Sequence, residues 1–183
     1  AADGLATVQD LWTDEWPELR AAAFRAAAAI DQERFMIVLA GPEPDRHRRV
    51  RAALAETLGT LPAEQATDRL RAMLQDEDKR VIPAVLSSLA LLKASDLRTV
   101  LVQRLDDPDF VVRATVAREL GRLKPEGGAD LLRQAYKTAL ADGAYAARTA
   151  ALEALAAFGA TEATSTLVEA LEVFAEPWGP RHH

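Results

Sequence analysis

Residues 50–59 read Val-Arg-Ala-Ala-Leu-Ala-Glu-Thr-Leu-Gly, and residues 112–121 read Val-Arg-Ala-Thr-Val-Ala-Arg-Glu-Leu-Gly. The two stretches start 62 residues apart, and a weaker copy lies midway between them at residues 81–90. The chain therefore repeats with a period of 31 residues. Self-similarity with a period of roughly 20–50 residues is typical of proteins built from stacked repeats. Within each copy the apolar residues recur every three or four positions, which predicts an α-helix.

An aspartate marks every copy of the repeat, six residues before a position that is arginine in four copies out of five. The aspartates are Asp14, Asp45, Asp76, Asp107 and Asp142, and the later positions are Arg20, Arg51, Ile82, Arg113 and Arg148. These markers predict a single repeat domain over residues 1–183. It would consist of a half repeat at 1–13, repeats starting near 14, 45, 76, 107 and 142, and an irregular tail at 173–183.

Each repeat has the pattern of two helices. We expect the aspartate to cap the first helix, because its carboxylate can accept hydrogen bonds from unpaired backbone N–H groups. Three glycines, Gly59, Gly121 and Gly159, stand where a left-handed C-cap would end that helix. Pro83 falls well inside a predicted first helix, where proline should kink it. The second helix of the first repeat, near 32–39, should end early, at the Gly-Pro-Glu-Pro of residues 41–44.

A pair of short helices cannot bury its apolar face alone, so neighbouring pairs must stack to form one core. The chain is rich in alanine and only 5% aromatic, which suits closely packed helices better than a β-sandwich. The sequence thus predicts an all-α, right-handed α-solenoid of helical hairpins.

The segment Asp-Pro-Asp-Phe-Val-Val-Arg at residues 107–113, and its sister at 76–82, resemble the HEAT-like repeats of the phycobilisome-lyase type. The resemblance covers about residues 4–172. It implies that the first helices form a convex side and the second helices line a concave side that takes a partner. Proteins of this class include scaffolds, bilin lyase subunits, DNA-glycosylase-like proteins and repeat arms of enzymes, so the fold alone does not choose a function.

Composition argues against catalysis. The chain has no cysteine and three histidines, His47, His182 and His183, of which the last two resemble the remnant of a purification tag. It contains no Gly-x-Ser-x-Gly, no His-Glu-x-x-His and no phosphate-binding glycine loop. We therefore expect no enzyme activity, no cofactor and no metal. No apolar run approaches the roughly 20 residues of a membrane span.

Charge is unevenly distributed along the chain. It carries 22 Lys and Arg against 28 Asp and Glu overall, but residues 44–137 hold 17 against 14. The predicted second helices in this stretch present five polar side chains that stacking would align: Arg71, Arg98, Gln103, Arg133 and Lys137. We interpret them as a candidate surface for a protein or an extended acidic peptide. The plainer interpretation is an ordinary solvated helix face.

Two other features invite contact with a partner. The densest basic run, residues 46–51, could meet phosphate or acidic side chains, or simply aid solubility. Trp16 and Trp178 are candidates for contact with flanking sequence, whereas Trp12 fits a core position. The chain starts with Ala and not Met, which favours processing or excision from a longer sequence.

The sequence thus predicts a non-enzymatic scaffold that binds a protein on its concave face. One alternative is a repeat arm of a larger multidomain enzyme, for example a lyase, which recruits substrate. Another is nucleic-acid binding by the basic middle, which the net charge of −6 disfavours. Oligomeric state, compartment and partner identity are left open by the sequence.

Overall fold

The computed structural model describes residues 2–41 and 43–175. Within them the chain forms eleven α-helices, a short 3-10 helix at Leu11–Thr13 and no strand, which confirms the predicted all-α class. The helices are α1 (Ala2–Asp10), α2 (Pro17–Ile30), α3 (Gln32–Leu39), α4 (Arg48–Leu58), α5 (Ala63–Met73), α6 (Ile82–Leu91), α7 (Leu97–Gln103), α8 (Phe110–Leu123), α9 (Gly128–Ala141), α10 (Tyr145–Phe158) and α11 (Ala160–Ala175). None of these helices is both long and apolar enough to cross a membrane.

The chain divides into two compact units, Ala1–Leu97 and Arg98–His183, which we call unit 1 and unit 2. Two helices follow each of the five aspartates, and the first helices of successive pairs pack on one another inside each unit. In unit 1, α2 packs on α4 and α4 on α6, whereas in unit 2, α8 packs on α10. The prediction that all the repeats form one domain stays a prediction.

The core of unit 1 begins with three aromatic rings. The ring centroid of Trp12 lies 4.8 Å from that of Phe24 and 6.1 Å from that of Phe35. Tilted and edge-on contacts of this kind suit the charge distribution of aromatic rings and add to the gain from burial. Trp12 is thus a packing residue, as its position in the repeat predicted. Trp16 lies outside this cluster and is 61% exposed.

Three glycines were predicted to end helices in a left-handed conformation, and two of them do not adopt it, although Gly59 does stand at the end of α4. Gly59 has φ −63°, and Gly121 lies inside α8. A Cβ atom on Gly121 would stand 2.7 Å from Ala154 Cβ and 2.9 Å from Ala154 Cα on α10. One on Gly59 would stand 2.8 Å from Ser88 Cβ on α6. These glycines permit close approach between neighbouring first helices. The third, Gly159, has φ 138°.

Other local predictions also change. Pro83 does not kink a helix, because α6 begins at Ile82 and the proline lies in its first turn, where its missing N–H costs nothing. The last helix continues to Ala175, into the segment predicted as an irregular tail. Trp178, His182 and His183 lie outside the described residues.

Candidate functional site

The five repeat aspartates are not helix caps, which corrects the sequence-based expectation. Each first helix begins at least three residues after its aspartate, and the carboxylate accepts a hydrogen bond from the backbone N–H two residues along. The accepting pairs are Asp14–Trp16, Asp45–His47, Asp76–Asp78, Asp107–Asp109 and Asp142–Ala144. The aspartate thus folds the turn ahead of the helix. In one repeat the cap is supplied by Asp109, which accepts from the N–H groups of Val111 and Val112.

Three of these carboxylates, those of Asp45, Asp76 and Asp142, also bind the repeated arginine of the preceding repeat. Arg20 Nε lies 2.6 Å from Asp45 Oδ2 and its Nη2 lies 2.9 Å from Oδ1. Arg51 makes the same bidentate contact with Asp76: its Nε lies 2.7 Å from Oδ2 and its Nη2 lies 2.9 Å from Oδ1. Parallel bonds of this type fix both distance and orientation. Successive turns of unit 1 are therefore joined by an Asp–Arg ladder.

Each ladder arginine also bonds the turn of its own repeat. Nη1 of Arg20, Arg51 and Arg113 donates to the backbone carbonyl of the aspartate six residues earlier, at 2.7, 2.8 and 2.7 Å. In unit 2, Arg113 completes the pattern through its Nη2, which contacts Asp142. These contacts between neighbouring turns indicate that the repeated charges hold the repeats in register.

The ion pairs of the ladder shift the pKa values of their members in the directions that favour the charged forms. The hydrogen bonds that Arg20 donates to Asp45 raise the pKa of Arg20 and outweigh the opposing effect of burial, and those that Arg51 donates to Asp76 raise the pKa of Arg51 in the same way. Burial alone would raise the pKa of Asp45, but the hydrogen bonds from Arg20 and the His47 N–H keep that pKa below its ordinary value. These groups stay charged near neutral pH and are poor candidates for proton transfer.

Asp107 is held differently, because Ile82 occupies the position of the repeated arginine in the preceding repeat. Here Arg104 Nη1, from the turn just before, lies 3.2 Å from Asp107 Oδ2. Both side chains are largely buried, at 15% and 6% exposed. A local arginine thus supplies the charge that the repeat pattern lacks.

The basic run at residues 46–51 also makes contacts to neighbouring repeats. Arg49 Nη1 lies 3.5 Å from Glu18 Oε1, and Arg48 Nε lies 4.0 Å from Asp78 Oδ2. Exposed pairs of this kind stabilise by about 0–1 kcal/mol. Arg48, Arg49 and Arg51 thus contact carboxylates of neighbouring repeats. Arg46 is the exception, because it has no ion pair within the described residues.

Arg71, the candidate in unit 1, is already paired. Its Nε and Nη2 both lie 2.9 Å from the carboxylate of Asp96, and its Nη1 lies 2.7 Å from Asp68 Oδ1. The hydrogen bonds that Arg71 donates to Asp96 and Asp68 raise its pKa. Arg71 therefore links two second-helix regions of unit 1 and is a weak candidate for contact with a partner.

The other four candidates lie in unit 2 and differ in their availability. Arg133, half-buried, has Nη1 2.5 Å from Asp130 Oδ1. Arg98 is exposed, and its one hydrogen bond among the described residues is donated to the backbone carbonyl of Glu126, at 3.3 Å. Gln103 and Lys137 are exposed. Three of the predicted side chains are thus accessible and without a carboxylate partner in the described part of unit 2.

Asp106 ties the surface around these three side chains together. Its Oδ2 accepts from Gln134 Nε2 at 3.1 Å and its Oδ1 accepts from Thr138 Oγ1 at 3.3 Å, so the turn after α7 is joined to α9. Val102, between Arg98 and Gln103, adds an apolar side chain that is 39% exposed. A surface that is ordered before binding loses less entropy when a partner docks.

Unit 1 contains a cleft of about 670 Å³, which the sequence did not reveal. Its floor is formed by buried side chains of α2, α3 and α4, namely Phe24, Leu39, Val50 and Leu54. One border is the segment after α3, with Glu43 and Arg46. The other is the end of α5, with Arg69, Ala72 and Met73. The early end of α3 that residues 41–44 predicted is the signal that could have pointed to this cleft.

Within residues 2–41 and 43–175, no group of three or more His, Asp or Glu side chains is placed to hold a metal ion. His47, the histidine in these ranges, lies in the Asp45 turn with its Nδ1 buried and without a hydrogen-bond partner.

A comparison with protein families finds HEAT repeats at residues 38–108 and 98–174, which together cover well over half of the chain. HEAT repeats are helical hairpins that build α-solenoids, so the predicted fold class is confirmed. Among curated proteins, no sequence matches this chain.

Proposed function

Because the chain belongs to the HEAT-repeat family, which is typically non-catalytic and generally serves protein interaction, we propose that it is a non-enzymatic scaffold that binds a protein partner along its second helices. The resemblance noted in the sequence assigns these helices to the concave side. The contact residues in unit 2 would be Arg98, Gln103 and Lys137, with Val102 among them. Arg133 is engaged by Asp130 and would contribute less to affinity. Arg71, in unit 1, is engaged by Asp96 and Asp68 and is a weaker candidate for the same reason.

The observation that supports this proposal is the accessible trio on an ordered surface. Arg98, Gln103 and Lys137 offer donors and positive charge without a carboxylate partner among the described residues, whereas Arg20, Arg51 and Arg113 are engaged by the aspartates of the ladder. Exposed cations of this kind contribute mainly to association rate and specificity. The chemistry favours a partner segment with carboxylates.

Site-specific cross-linking can test the scaffold role. The chain has no cysteine, so Gln103→Cys or Lys137→Cys provides a single thiol for a photo-cross-linker. In an extract of the source organism we expect one protein to be captured from these positions. Glu153→Cys, exposed on the first helix α10, is the matched control. Capture of the same protein from all three positions, or of none, would contradict the proposed surface.

The alternative that the chain is the repeat arm of a larger enzyme uses the same surface. The captured protein distinguishes the two: a substrate of the attached enzyme would favour the arm, and a stable stoichiometric partner would favour the scaffold.

A further inference from the structure

We propose that one face of α2 docks an α-helix of a partner protein. The face consists of Leu19, Ala22 and Ala26 with the carboxylate of Asp14, and we call it the α2 face. The docking helix would carry an arginine eight residues before a glycine or an alanine. The α2 face shares no residue with the proposed surface of unit 2 and goes beyond the proposed function. The support comes from the contacts of the other repeat aspartates, from the exposure of equivalent repeat positions and from charge.

Asp14 has an acceptor position that the other repeat aspartates use for arginine. Each of the other four pairs with an arginine side chain. Asp14 is half-buried and its Oδ1 accepts the backbone N–H of Trp16 at 2.8 Å, but no arginine reaches its carboxylate within residues 2–41 and 43–175. Asp45 accepts the equivalent N–H and still receives two parallel bonds from Arg20. The carboxylate of Asp14 can therefore accept a guanidinium in the same bidentate way.

The position five residues after the aspartate is buried in repeats whose first helix packs on the first helix before it. This position is Val50 on α4, Val81 just before α6 and Ala147 on α10, and the three side chains are 0%, 0% and 3% exposed. Their helices pack on α2, α4 and α8, the first helices of the preceding repeats. Leu19 holds the same position on α2 and is 44% exposed, although α1 also packs on α2. Ala22, one turn further along, is exposed as well. The face that a preceding first helix covers elsewhere is therefore open on α2.

The position twelve residues after the aspartate is a point of close approach to the preceding first helix. Ser88 holds this position on α6, and a Cβ atom on Gly59, at the end of α4, would lie 2.8 Å from Ser88 Cβ. Ala154 holds it on α10, and a Cβ atom on Gly121 of α8 would lie 2.7 Å from Ala154 Cβ. On α2 the position is Ala26, which is half-buried and shares a helical face with the two exposed side chains one and two turns before it. A docking helix with a small residue at this point can approach α2 closely.

The ladder also fixes where the arginine and the small residue lie on the docking helix. Arg51 and Gly59 are eight residues apart in the repeat of α4, and Arg113 and Gly121 have the same spacing on α8. In the repeat of α2, an alanine stands eight residues after the ladder arginine. A helix with this spacing would place its arginine on the open carboxylate and its small residue opposite Ala26 at the same time. A helix without the arginine, or with a bulky residue in place of the glycine, would make one contact and lose the other.

Charge favours an arginine-bearing partner over an acidic one. Residues 1–43 contain 3 Lys and Arg against 8 Asp and Glu, and Glu15 and Glu18 lie close to Asp14 in the chain. Complementary charge of this kind speeds association and disfavours partners of the same sign. A second copy of the chain fits the α2 face less well. Three of its ladder arginines are engaged by aspartates, and Arg148 lies over the ring of Tyr145, 4.6 Å from the ring centroid.

Fluorescence anisotropy with a helix of the proposed type tests the docking on the full chain. The probe is a fluorescein-labelled peptide with the sequence of residues 107–124, because α8 makes both contacts inside unit 2 through Arg113 and Gly121. Two comparison peptides carry Arg113→Gln or Gly121→Leu. We expect the probe to bind about tenfold more tightly than either, since the first loses a charge-assisted pair and the second adds bulk at the point of close approach. Equal binding of all three peptides, or no binding of the probe at millimolar protein, would overturn the proposal.

Two variants of the chain locate the peptide on the α2 face. Asp14→Asn removes the charge that the arginine of the peptide needs, and Ala26→Leu adds bulk opposite its glycine. Each should weaken probe binding about tenfold. The matched controls are Asp31→Asn, whose carboxylate also accepts a backbone N–H, and Ala157→Leu, at an exposed position of α10. Neither control should change the affinity for the probe, and circular dichroism melts check that each variant is folded.

The results separate the partner helix from other occupants and from the scaffold proposal. Probe affinity that is unchanged in both α2-face variants would refute docking at this face. Sedimentation of the chain alone as a dimer that Asp14→Asn dissociates would assign the face to a second copy and overturn the partner helix. Cross-linking at Gln103 and Lys137 tests the unit 2 surface with different residues, so loss of capture there with intact probe binding would refute that surface alone.

Discussion

Replacing Gly121 with alanine tests whether close approach of α8 and α10 holds unit 2 together. On an isolated helix this change stabilises by about 1 kcal/mol, because alanine loses less backbone entropy than glycine. In the folded chain the added Cβ would stand 2.7 Å from Ala154 Cβ and 2.9 Å from Ala154 Cα. Both are far shorter than the roughly 3.5–4.0 Å at which carbon atoms attract.

The clash involves backbone on both sides, so no rotamer change relieves it and the two helices must separate. Inserting a methylene into a tightly packed core costs about 1–3 kcal/mol, and a contact with a Cα atom belongs at the upper end. Subtracting the gain in helix propensity leaves a net loss of about 2 kcal/mol. For a chain of this length, that corresponds to roughly 4–8 °C in melting temperature.

Urea and thermal denaturation followed by circular dichroism measure this loss, and a double-mutant cycle assigns its cause. Ala154→Gly removes the opposing methyl group, so the double variant should recover at least 1 kcal/mol relative to the sum of the single changes. Gly4→Ala is the control, since its Cβ would lie 4.0 Å from Ile30 Cδ1 and should not destabilise. A Gly121→Ala protein as stable as the parent, with additive effects in the cycle, would refute the reasoning.

Three further predictions concern the ladder and one helix end. Asp76→Ala should lower the free energy of unfolding by about 3–5 kcal/mol in urea titrations, because Arg51 would remain buried without its main partner. Lys124→Gly should stabilise by about 1 kcal/mol in the same assay, since Lys124 ends α8 with φ 45° in the left-handed region. In acid titrations, stability should be lost as pH falls below about 4, because the pKa of Asp45 is lowered in the folded state and its carboxylate is protonated more easily when unfolded. Asp45→Asn should flatten that dependence, and an unchanged acid midpoint would contradict the role of the Arg20 pair.

The Asp–Arg ladder explains why one motif repeats so faithfully while the rest of each repeat varies. The aspartate folds its own turn through a backbone N–H and receives the arginine of the preceding repeat, and that arginine also bonds the turn it comes from. Two turns must keep a fixed spacing for all these bonds to form. Asp107 shows that the pattern tolerates a change, because Arg104, three residues before it in the chain, takes the place of the missing repeat arginine.

The sequence determined the helical content and the pairing of helices. Apolar residues at helical spacing, a period of 31 residues and an aspartate in every copy can be read locally, because each element is specified by residues close together in the chain. The early end of α3 was equally legible, since glycine and two prolines near residues 41–44 cannot continue a helix.

The sequence was misleading where one residue type serves two physical purposes. Asp107 could cap a helix or fold the preceding turn, and Gly121 could end a helix or admit a neighbouring one. Such choices depend on which atoms lie nearby in space, and a single amino-acid sequence carries no record of those distances.

The candidate surfaces followed the same division. The sequence shows which residues are charged. Whether an arginine or lysine side chain is paired with a carboxylate depends on contacts between repeats, which the sequence does not show. Arg71 is held by Asp96, 25 residues away, whereas Arg98 donates to a backbone carbonyl. The cleft beside Arg46 and Arg69 was likewise decided by tertiary structure, because empty space arises from the paths of several segments and is encoded by no residue alone.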